Sequence, residues 1–294
     1  MEISDRDRKG VQADYFNPRT AIFWGVHVGA LAGMVALGPS WAGLGLCLLL
    51  YAPRMFFVTA GYHRYFSHRS FRTSRAFQFI LALGAVASGQ KGVLWWAGHH
   101  RLHHRHSDGP GDLHSPHLGF WWSHMGWMLS RLYEGTDLTS VKDLARYPEL
   151  RWLERHWVLP PVTLGLGIWA LGGAFALVWG VLVPQVLIWH ASFSINSLAH
   201  LMGRRRFATR DDSRNSFLLA VVTFGEGWHN NHHHRPGSSR QGLVWWEIDV
   251  SYYVLRLLSL FGLVWDLRTT RVREIEPALD ARAGGGGEPD PTSC

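Results

Sequence analysis

The chain has 294 residues, of which 47% are hydrophobic and 17% are charged, and its formal net charge is +7. So low a charged fraction, with the apolar residues gathered in blocks, is typical of a multi-pass membrane protein and not of a secreted or nucleic-acid-binding one. Two cysteines, Cys47 and Cys294, exclude a disulfide framework and an iron–sulfur cluster. The N-terminus is polar and charged through Pro18, which is not the pattern of a cleavable signal peptide.

Four apolar segments follow the polar lead-in (residues 1–18), and they come in two pairs. The pairs are joined by short uncharged turns, at Gly38-Pro39-Ser40 and at Trp179-Gly180. Each segment is long enough, or nearly so, to cross a bilayer as a helix. We therefore predict four transmembrane helices in two hairpins, with spans at about 21–38, 41–61, 159–178 and 181–199.

The long loops carry the arginines, so the positive-inside rule places them on the cytoplasmic face. The predicted cytoplasmic cap comprises residues 62–158 and 200–275. Arg54 lies inside the second span, where an intramembrane charge indicates either a functional role or a side chain that snorkels to the interface.

Three further apolar stretches are predicted not to span. Segment 76–96 contains polar residues, and a crossing there would separate His100 from His63, so we expect it to enter the interface and return or to pack beneath the spans. Segment 217–224 is too short to cross, and segment 252–265 is predicted to be an interfacial amphipathic helix. The Gly/Pro-rich tail at 276–294 is expected to be disordered.

Histidines recur in clusters beside these apolar runs. His100, His103 and His104 stand at i, i+3 and i+4, which share one face of an α-helix, and the spacing repeats at residues 229–233. Neutral imidazole is the commonest metal ligand, and nine imidazoles with one asparagine exceed the shell of a single ion. The repeated spacing favours two metal ions over surface histidines with packing roles.

These motifs resemble those of the membrane-bound fatty acyl desaturases, most closely the stearoyl-CoA (Δ9) desaturase branch and its bacterial members. They are HxxxxH after the second span, HxxHH in the middle, NxxxH after the fourth span and HNxHH near the end, and the aromatic run at residues 119–127 also matches. The resemblance covers about residues 20–265. It implies an all-α membrane protein, with a desaturase domain over residues 19–275 whose cytoplasmic helical cap holds a histidine-rich di-iron site.

The resemblance implies two iron ions (Fe2+/Fe3+) and no catalytic residue beyond their ligands. Those ligands would be His63, His68, His100, His103, His104, His200, His229, His232 and His233, with Asn196 acting through a bound water. His63 and His68 are five apart, so either the helix ends between them or each serves a different iron. Among the other histidines, a hydrogen-bonded packing role is expected for His27 and His190, and His234 has no counterpart among the family's ligands. A further five are expected to support the ligands or the fold: His99, His106, His114, His117 and His124.

The implied activity is insertion of a cis double bond, Δ9 in this branch, into a saturated acyl chain with O2 and two electrons, for unsaturated fatty acid biosynthesis. The carrier is acyl-CoA or a membrane lipid. Pro116-His117-Leu118 replaces a basic pair that can contact CoA in animal relatives, and Asp112-Leu113-His114 replaces a common Asp-Pro-His, so CoA is not the only candidate. The chain has no heme or nucleotide motif, which implies a separate electron donor, ferredoxin or cytochrome b5 with its reductase. A bacterial plasma membrane is the expected location.

Position selectivity requires a bent apolar tunnel, and the resemblance places Gln90, Trp96, Ser192 and Phe193 around its bend. Tyr51, twelve positions before His63, is predicted to form the tunnel floor. The alternatives are core packing for the aromatic residues and an interfacial anchor for Tyr51.

Two rival functions remain. A related di-iron hydroxylase or alkane monooxygenase would use the same metals. A metal transporter would place its ligands nearer the bilayer midplane than these clusters lie.

Overall fold

The computed structural model describes residues 15–270, which are mostly helical. Its α-helices, α1 to α13, are Ala21–Leu37, Trp41–Phe56, Arg75–Val86, Val93–His106, Trp127–Leu129, Lys142–Ala145, Pro148–Arg155, Leu159–Leu177, Val183–Asn196, Leu198–Leu201, Phe217–Val222, His229–His234 and Val250–Leu260. Three π-helical segments are Phe57–Ser67, Trp122–Gly126 and Val178–Leu182, and two 3₁₀ turns are Pro116–Leu118 and Arg131–Tyr133. Strand β1 (Arg72–Thr73) pairs antiparallel with strand β2 (Val264–Trp265).

Within residues 15–270, two helical stretches are long and apolar enough by composition to cross a membrane, Trp41–Ser67 and Leu159–Leu201, and the second of these contains a break at Gly172-Gly173. The apolar helix α1 has 17 residues and ends at a turn in which Gly38 adopts a φ of 71°. Ser40 then caps α2, since its Oγ accepts a hydrogen bond of 3.1 Å from the Gly43 amide. The predicted turn between the first two apolar segments is therefore confirmed.

The second hairpin turns earlier than predicted. Helical dihedrals are interrupted at Gly172 and Gly173, where Gly173 has a φ of 62°. Contacts across this break show that the chain doubles back there: Gly165 lies against Val181, and Gly180 lies against Ile168. The predicted turn at Trp179-Gly180 is wrong, since these residues continue the returning helix as part of Val178–Leu182.

Close packing between the two hairpins explains this position of the turn. A side chain at Gly43 would collide with the Trp179 ring, so the indole of Trp179 is held against α2. Arg54 also joins the hairpins, with Nη1 3.1 Å from Gln185 Oε1 and Nη2 3.3 Å from the Gly180 carbonyl oxygen. Because Arg54 is only 4% exposed, it does not snorkel to the interface.

The apolar run at 76–96 forms two helices instead of one. Helix α3 ends at Val86 and α4 begins at Val93, and between them Gly89 and Lys91 have positive φ values of 69° and 66°. Glu154 caps α4, with its Oε2 2.9 Å from the Leu94 amide. The chain therefore turns back, as predicted, and His100 lies on the same side as His63.

The two short C-terminal apolar segments form short helices. Segment 217–224 contains the six-residue helix α11. Helix α13 buries Tyr252 and Leu255 but also exposes Leu257 and Leu260, so apolar side chains lie on both of its faces, and its interfacial position stays a prediction. The predicted disordered tail and most of the N-terminal lead-in lie outside the described residues.

Candidate metal centre

Nine histidines converge in two adjacent groups at the cap ends of the long apolar helices. In each group the candidate ligand atoms lie within 4.8 Å of one another. The five-imidazole group consists of His63, His68, His100, His104 and His232. The four-imidazole group consists of His103, His200, His229 and His233.

His63 and His68 reach the same group because the second long helix ends as a π-helix. The segment Phe57–Ser67 is π-helical, and the His68 amide bonds to the His63 carbonyl oxygen at 3.3 Å. A π turn links residues five apart and so brings their side chains to one side of the helix. Of the two alternatives left by the sequence, separate groups are wrong. The helix does end before His68, at Ser67, but the π turn is what places both rings in one group.

Each HxxHH-type trio divides between the two groups. His100 and His104 face the five-imidazole group, whereas His103 faces the four-imidazole group. In the second trio only His232 faces the five-imidazole group. Side chains at i+3 and i+4 are about 100° apart around a helix, so the edges of one face can serve two neighbouring sites. The shared helical face of each trio therefore borders both groups.

Four carboxylates hold imidazoles through Nδ1, and of these Glu226 and Asp112 are buried while Asp108 and Asp211 are partly buried. Glu226 contacts His63 in the five-imidazole group. Three aspartates serve the four-imidazole group, with Nδ1–carboxylate distances of 3.0 Å for His103–Asp112, 2.8 Å for His200–Asp108 and 2.7 Å for His233–Asp211. A carboxylate on Nδ1 fixes the ring orientation and leaves Nε2 to bind a metal.

Sequence reasoning missed these carboxylates. Their only signal is proximity along the chain: Asp108 and Asp112 follow the His100 cluster closely, and Glu226 stands three residues before His229. Asp211 lies 11 residues after His200 and 22 residues before its partner His233, and its role becomes visible only in three dimensions.

The electrostatics favour neutral imidazoles at several ligand positions and ionised carboxylates, with His103 as an exception, because Asp112 raises the pKa of His103 in spite of its burial. Burial, reinforced by neighbouring histidines, holds the pKa values of His68, His100 and His104 well below the usual value, so these rings keep a free lone pair. Burial alone would raise the pKa of Glu226, but the adjacent His63 and Arg64 hold it at about 2. This combination is the one that a divalent cation requires.

The spacing of the nitrogens fits bound metal. Nε2–Nε2 distances are 2.8 Å for His68–His100, 2.9 Å for His104–His232 and 3.0 Å for both His63–His232 and His200–His229. Two nitrogens that each lie about 2.1 Å from one ion, with an angle of about 90° between the two bonds, would be about 3 Å apart. Among residues 15–270, the buried Nε2 atoms of His103 and His233 have no hydrogen-bond partner, which a metal would supply.

The other named residues take the following places. Asn196 ends α9 beside both groups, with its carbonyl oxygen held by Ser123 Oγ at 2.8 Å. His234 stacks on Phe207 with 3.9 Å between ring centroids and takes no part in either group. The predicted hydrogen-bonded packing of His27 and His190 is confirmed, since their Nε2 atoms are 3.0 Å apart.

Two cavities border the histidine groups. The first cavity is lined by Gln90, Trp95, Trp96, His99, His100, His114, Trp127, Met128, Ser192, Phe193 and Asn196. The second cavity shares Trp96, His100, Ser192 and Asn196 with the first and extends along Met55, Val58, Thr59 and Ile195. The two cavities therefore meet beside the five-imidazole group.

Of the residues predicted at the tunnel bend, Trp96 and Ser192 line both cavities, and Gln90 and Phe193 line the first. Gln90 Nε2 donates to Ser192 Oγ at 2.9 Å, and Trp96 Nε1 donates to Gln90 Oε1 at 3.4 Å. Tyr51 does not line either cavity. It lies one helical turn beyond Met55, where its hydroxyl donates to the Val222 carbonyl oxygen.

Known proteins with similar sequences belong to one enzyme family. The sequence model of the family described as fatty acid desaturase matches residues 39–262. The chain is 39% identical to the sn-1 stearoyl-lipid 9-desaturase of Anabaena variabilis over 85% of this chain and 92% of that protein. It is 38% identical to the sn-1 stearoyl-lipid 9-desaturase of Synechocystis sp. over 84% of this chain and 78% of that protein. It is also 38% identical to the sn-2 palmitoyl-lipid 9-desaturase of Nostoc sp. over 81% of this chain and 87% of that protein. The chain therefore belongs to the fatty acid desaturase family, the membrane-bound oxidoreductases that insert a double bond into a saturated acyl chain.

Proposed function

We propose that this protein is an acyl-lipid Δ9 desaturase that inserts a cis double bond with O2 and two electrons at a pair of iron ions. The observation that carries the proposal is the junction of two cavities directly beside two convergent imidazole groups. The lipid carrier and the Δ9 position are supported by relatives that are named stearoyl-lipid and palmitoyl-lipid 9-desaturases.

The two imidazole groups would each hold one iron, and Asn196 would contribute through a bound water. Imidazole suits iron, and hydrogen removal from unactivated methylenes is beyond any amino-acid side chain. Bound iron with O2 supplies that oxidising power. In total, one –CH2–CH2– unit, O2, two electrons and two protons give –CH=CH– and two waters.

The residues of the chain hold and shape the substrate. Gln90, Ser192 and Trp96 form a hydrogen-bonded wall at the cavity junction, which would bend the acyl chain there. Phe193 completes this wall as an apolar contact. Beyond the bend, the methyl end would lie along Met55 and Val58 toward Tyr51, which we propose as the floor.

We further infer four membrane passes, with the cap and the histidine groups on the cytoplasmic face of a bacterial plasma membrane. The supports are the two apolar hairpins and the arginines of the cap. The donor would be ferredoxin or cytochrome b5 with its reductase. A basic surface that includes Arg204 and Arg205 would attract such an acidic carrier.

Expression in a host without its own desaturase tests the proposal. We expect new cis-9 monounsaturated acyl chains on membrane glycerolipids, and none with the His103→Ala variant at equal expression. Hydroxylated chains would instead identify the related hydroxylase. Unsaturated chains that appear first in the acyl-CoA pool would refute the lipid carrier, and metal accumulation without any new lipid would identify a transporter.

A further inference from the structure

Two buried ring nitrogens in the first cavity, one of them an indole N–H, have no hydrogen-bond partner among residues 15–270. His114 is 4% exposed and Trp127 is 6% exposed, and both line this cavity. Among residues 15–270, neither His114 Nδ1 nor Trp127 Nε1 has a hydrogen-bond partner. An indole N–H can only donate, and leaving a buried donor unpaired is costly. The cavity therefore presents donor capacity that the chain itself does not use.

Other polar atoms of the cavity wall are already paired. Trp95 Nε1 donates to the Tyr133 carbonyl oxygen at 2.7 Å. Trp96 and Gln90 are engaged in the wall at the bend. The unpaired groups are thus distinct from the residues that shape the bend.

The His114 and Trp127 rings lie together, next to the four-imidazole group. The His114 and Trp127 rings have centroids 5.0 Å apart. On its other side, the His114 ring stacks on His103 of the four-imidazole group at 4.2 Å. A ligand atom bound at this end of the cavity would therefore be separated from His103 of the four-imidazole group by the His114 ring.

The two cavities differ in a way that orients the acyl chain. The second cavity leads along Met55 and Val58 of the second long apolar helix and its π-helical end, which suits a methyl end. Eight of the eleven residues that line the first cavity lie within residues 62–158, and this cavity carries the two unpaired nitrogens, which suits the carboxyl end. The carboxyl end of an esterified acyl chain has one strong acceptor, its carbonyl oxygen.

We propose that Trp127 Nε1 and His114 Nδ1 form a binding site for the ester carbonyl oxygen of the acyl chain. This inference rests on the proposed function but holds for an oxygen ester or a thioester. Anchoring the carbonyl carbon sets the number of carbons between the anchor and the metals. The double-bond position would therefore be counted from the carboxyl end, and the anchor contributes to regioselectivity.

The test compares ligands that differ only in the carbonyl group. Purified full-length protein without added iron is titrated with a distearoyl glycerolipid and with its dioctadecyl ether analogue, and separately with stearoyl-CoA and its S-octadecyl thioether. In whichever of the two pairs the protein binds, we expect wild type to bind the ligand with the carbonyl group about three- to tenfold more tightly than the ether or thioether. This is the difference that one neutral hydrogen bond would give. Trp127→Phe keeps an aromatic ring but removes the donor, so its preference should fall to about one.

Trp95→Phe is the matched control. It removes an indole N–H from the same cavity wall, but one that is already bonded to Tyr133, so the wild-type preference should persist whatever happens to overall affinity. His114→Phe is a second variant, for use if Trp127→Phe does not fold, and it should also reduce the preference. A matching readout is product analysis, where Trp127→Phe should spread the double bond over neighbouring positions.

Wild-type protein that binds ester and ether equally in both pairs would overturn the inference, and so would Trp127→Phe that keeps the full preference. The lipid carrier is tested separately. A preference in the CoA pair alone would support the carbonyl site and refute the lipid carrier.

Discussion

Asp211 offers a sharp test of the metal centre, because its neighbour Asp212 provides an internal control. Asp211 Oδ2 is 2.7 Å from His233 Nδ1, and its side chain is 10% exposed. Burial alone would raise the pKa of Asp211, but the hydrogen bond from His233 holds it well below its usual value. The carboxylate is therefore ionised and orients one ring of the four-imidazole group.

The size of the effect follows from these contacts. Asp211→Asn keeps an acceptor for the Ser213 amide but removes the charge that strengthens the bond to His233. Loss of such a partner typically reduces metal affinity by about 10- to 100-fold, or about 1.4–2.7 kcal/mol. Two other carboxylates, Asp108 and Asp112, remain in this group. We therefore expect the lower end, about tenfold.

The assay is metal content under competition with a chelator. Wild-type protein should hold two ions, and Asp211→Asn should lose one of them at about a tenfold lower chelator concentration. Asp212→Asn should behave as wild type, because Asp212 pairs with His117, which is 58% exposed and belongs to neither group. Equal retention of both ions by all three proteins would refute this account of the carboxylates.

Three further outcomes follow from the same geometry. His103→Ala or His232→Ala should abolish desaturation in membranes with verified expression, whereas His234→Ala should retain most of it, since His234 stacks outside both groups; full activity of either of the first two would contradict the assignment. Tyr51→Ala should shift preference toward longer chains among 16-, 18- and 20-carbon substrates without moving the double bond, and an unchanged profile would mean that Tyr51 is not the floor. Burial raises the pKa of Asp143, but hydrogen bonds from two arginines outweigh burial and hold it at about 2. The ion pairs of this carboxylate are therefore fully present above its ordinary pKa of 3.8 and are lost as the pH falls toward 2. The midpoint temperature of thermal unfolding should then fall more steeply with acidification for wild type than for Asp143→Asn. The difference should be small, because the Asp143 side chain is 41% exposed. Parallel curves of midpoint temperature against pH would exclude the effect.

Much of the metal centre was predictable from the sequence, because the requirement for imidazole nitrogen is written in residue type and spacing. All nine histidines singled out by their motifs lie in the two groups. The first hairpin turn was also predictable, since Gly38 and Ser40 carry their own local signals, a positive φ and a helix cap. Such features depend on contacts within a few residues.

Only the tertiary structure decided how these parts combine. The division of the two trios depends on how α4 and α12 face each other across the centre. The convergence of His63 and His68 depends on a π-helical segment whose i→i+5 hydrogen bonds leave no periodic signal in the sequence. Asp211 reaches His233 from 22 positions earlier, through the fold and not through spacing.

The second hairpin shows the same limit. Two glycine-containing pairs, Gly172-Gly173 and Trp179-Gly180, could each make the turn by local criteria. The choice was made by packing, because Trp179 and Gly180 fit against the second apolar helix, while Gly173 is free to adopt its positive φ. Local sequence limits the possible turns, and the contacts between distant helices select one of them.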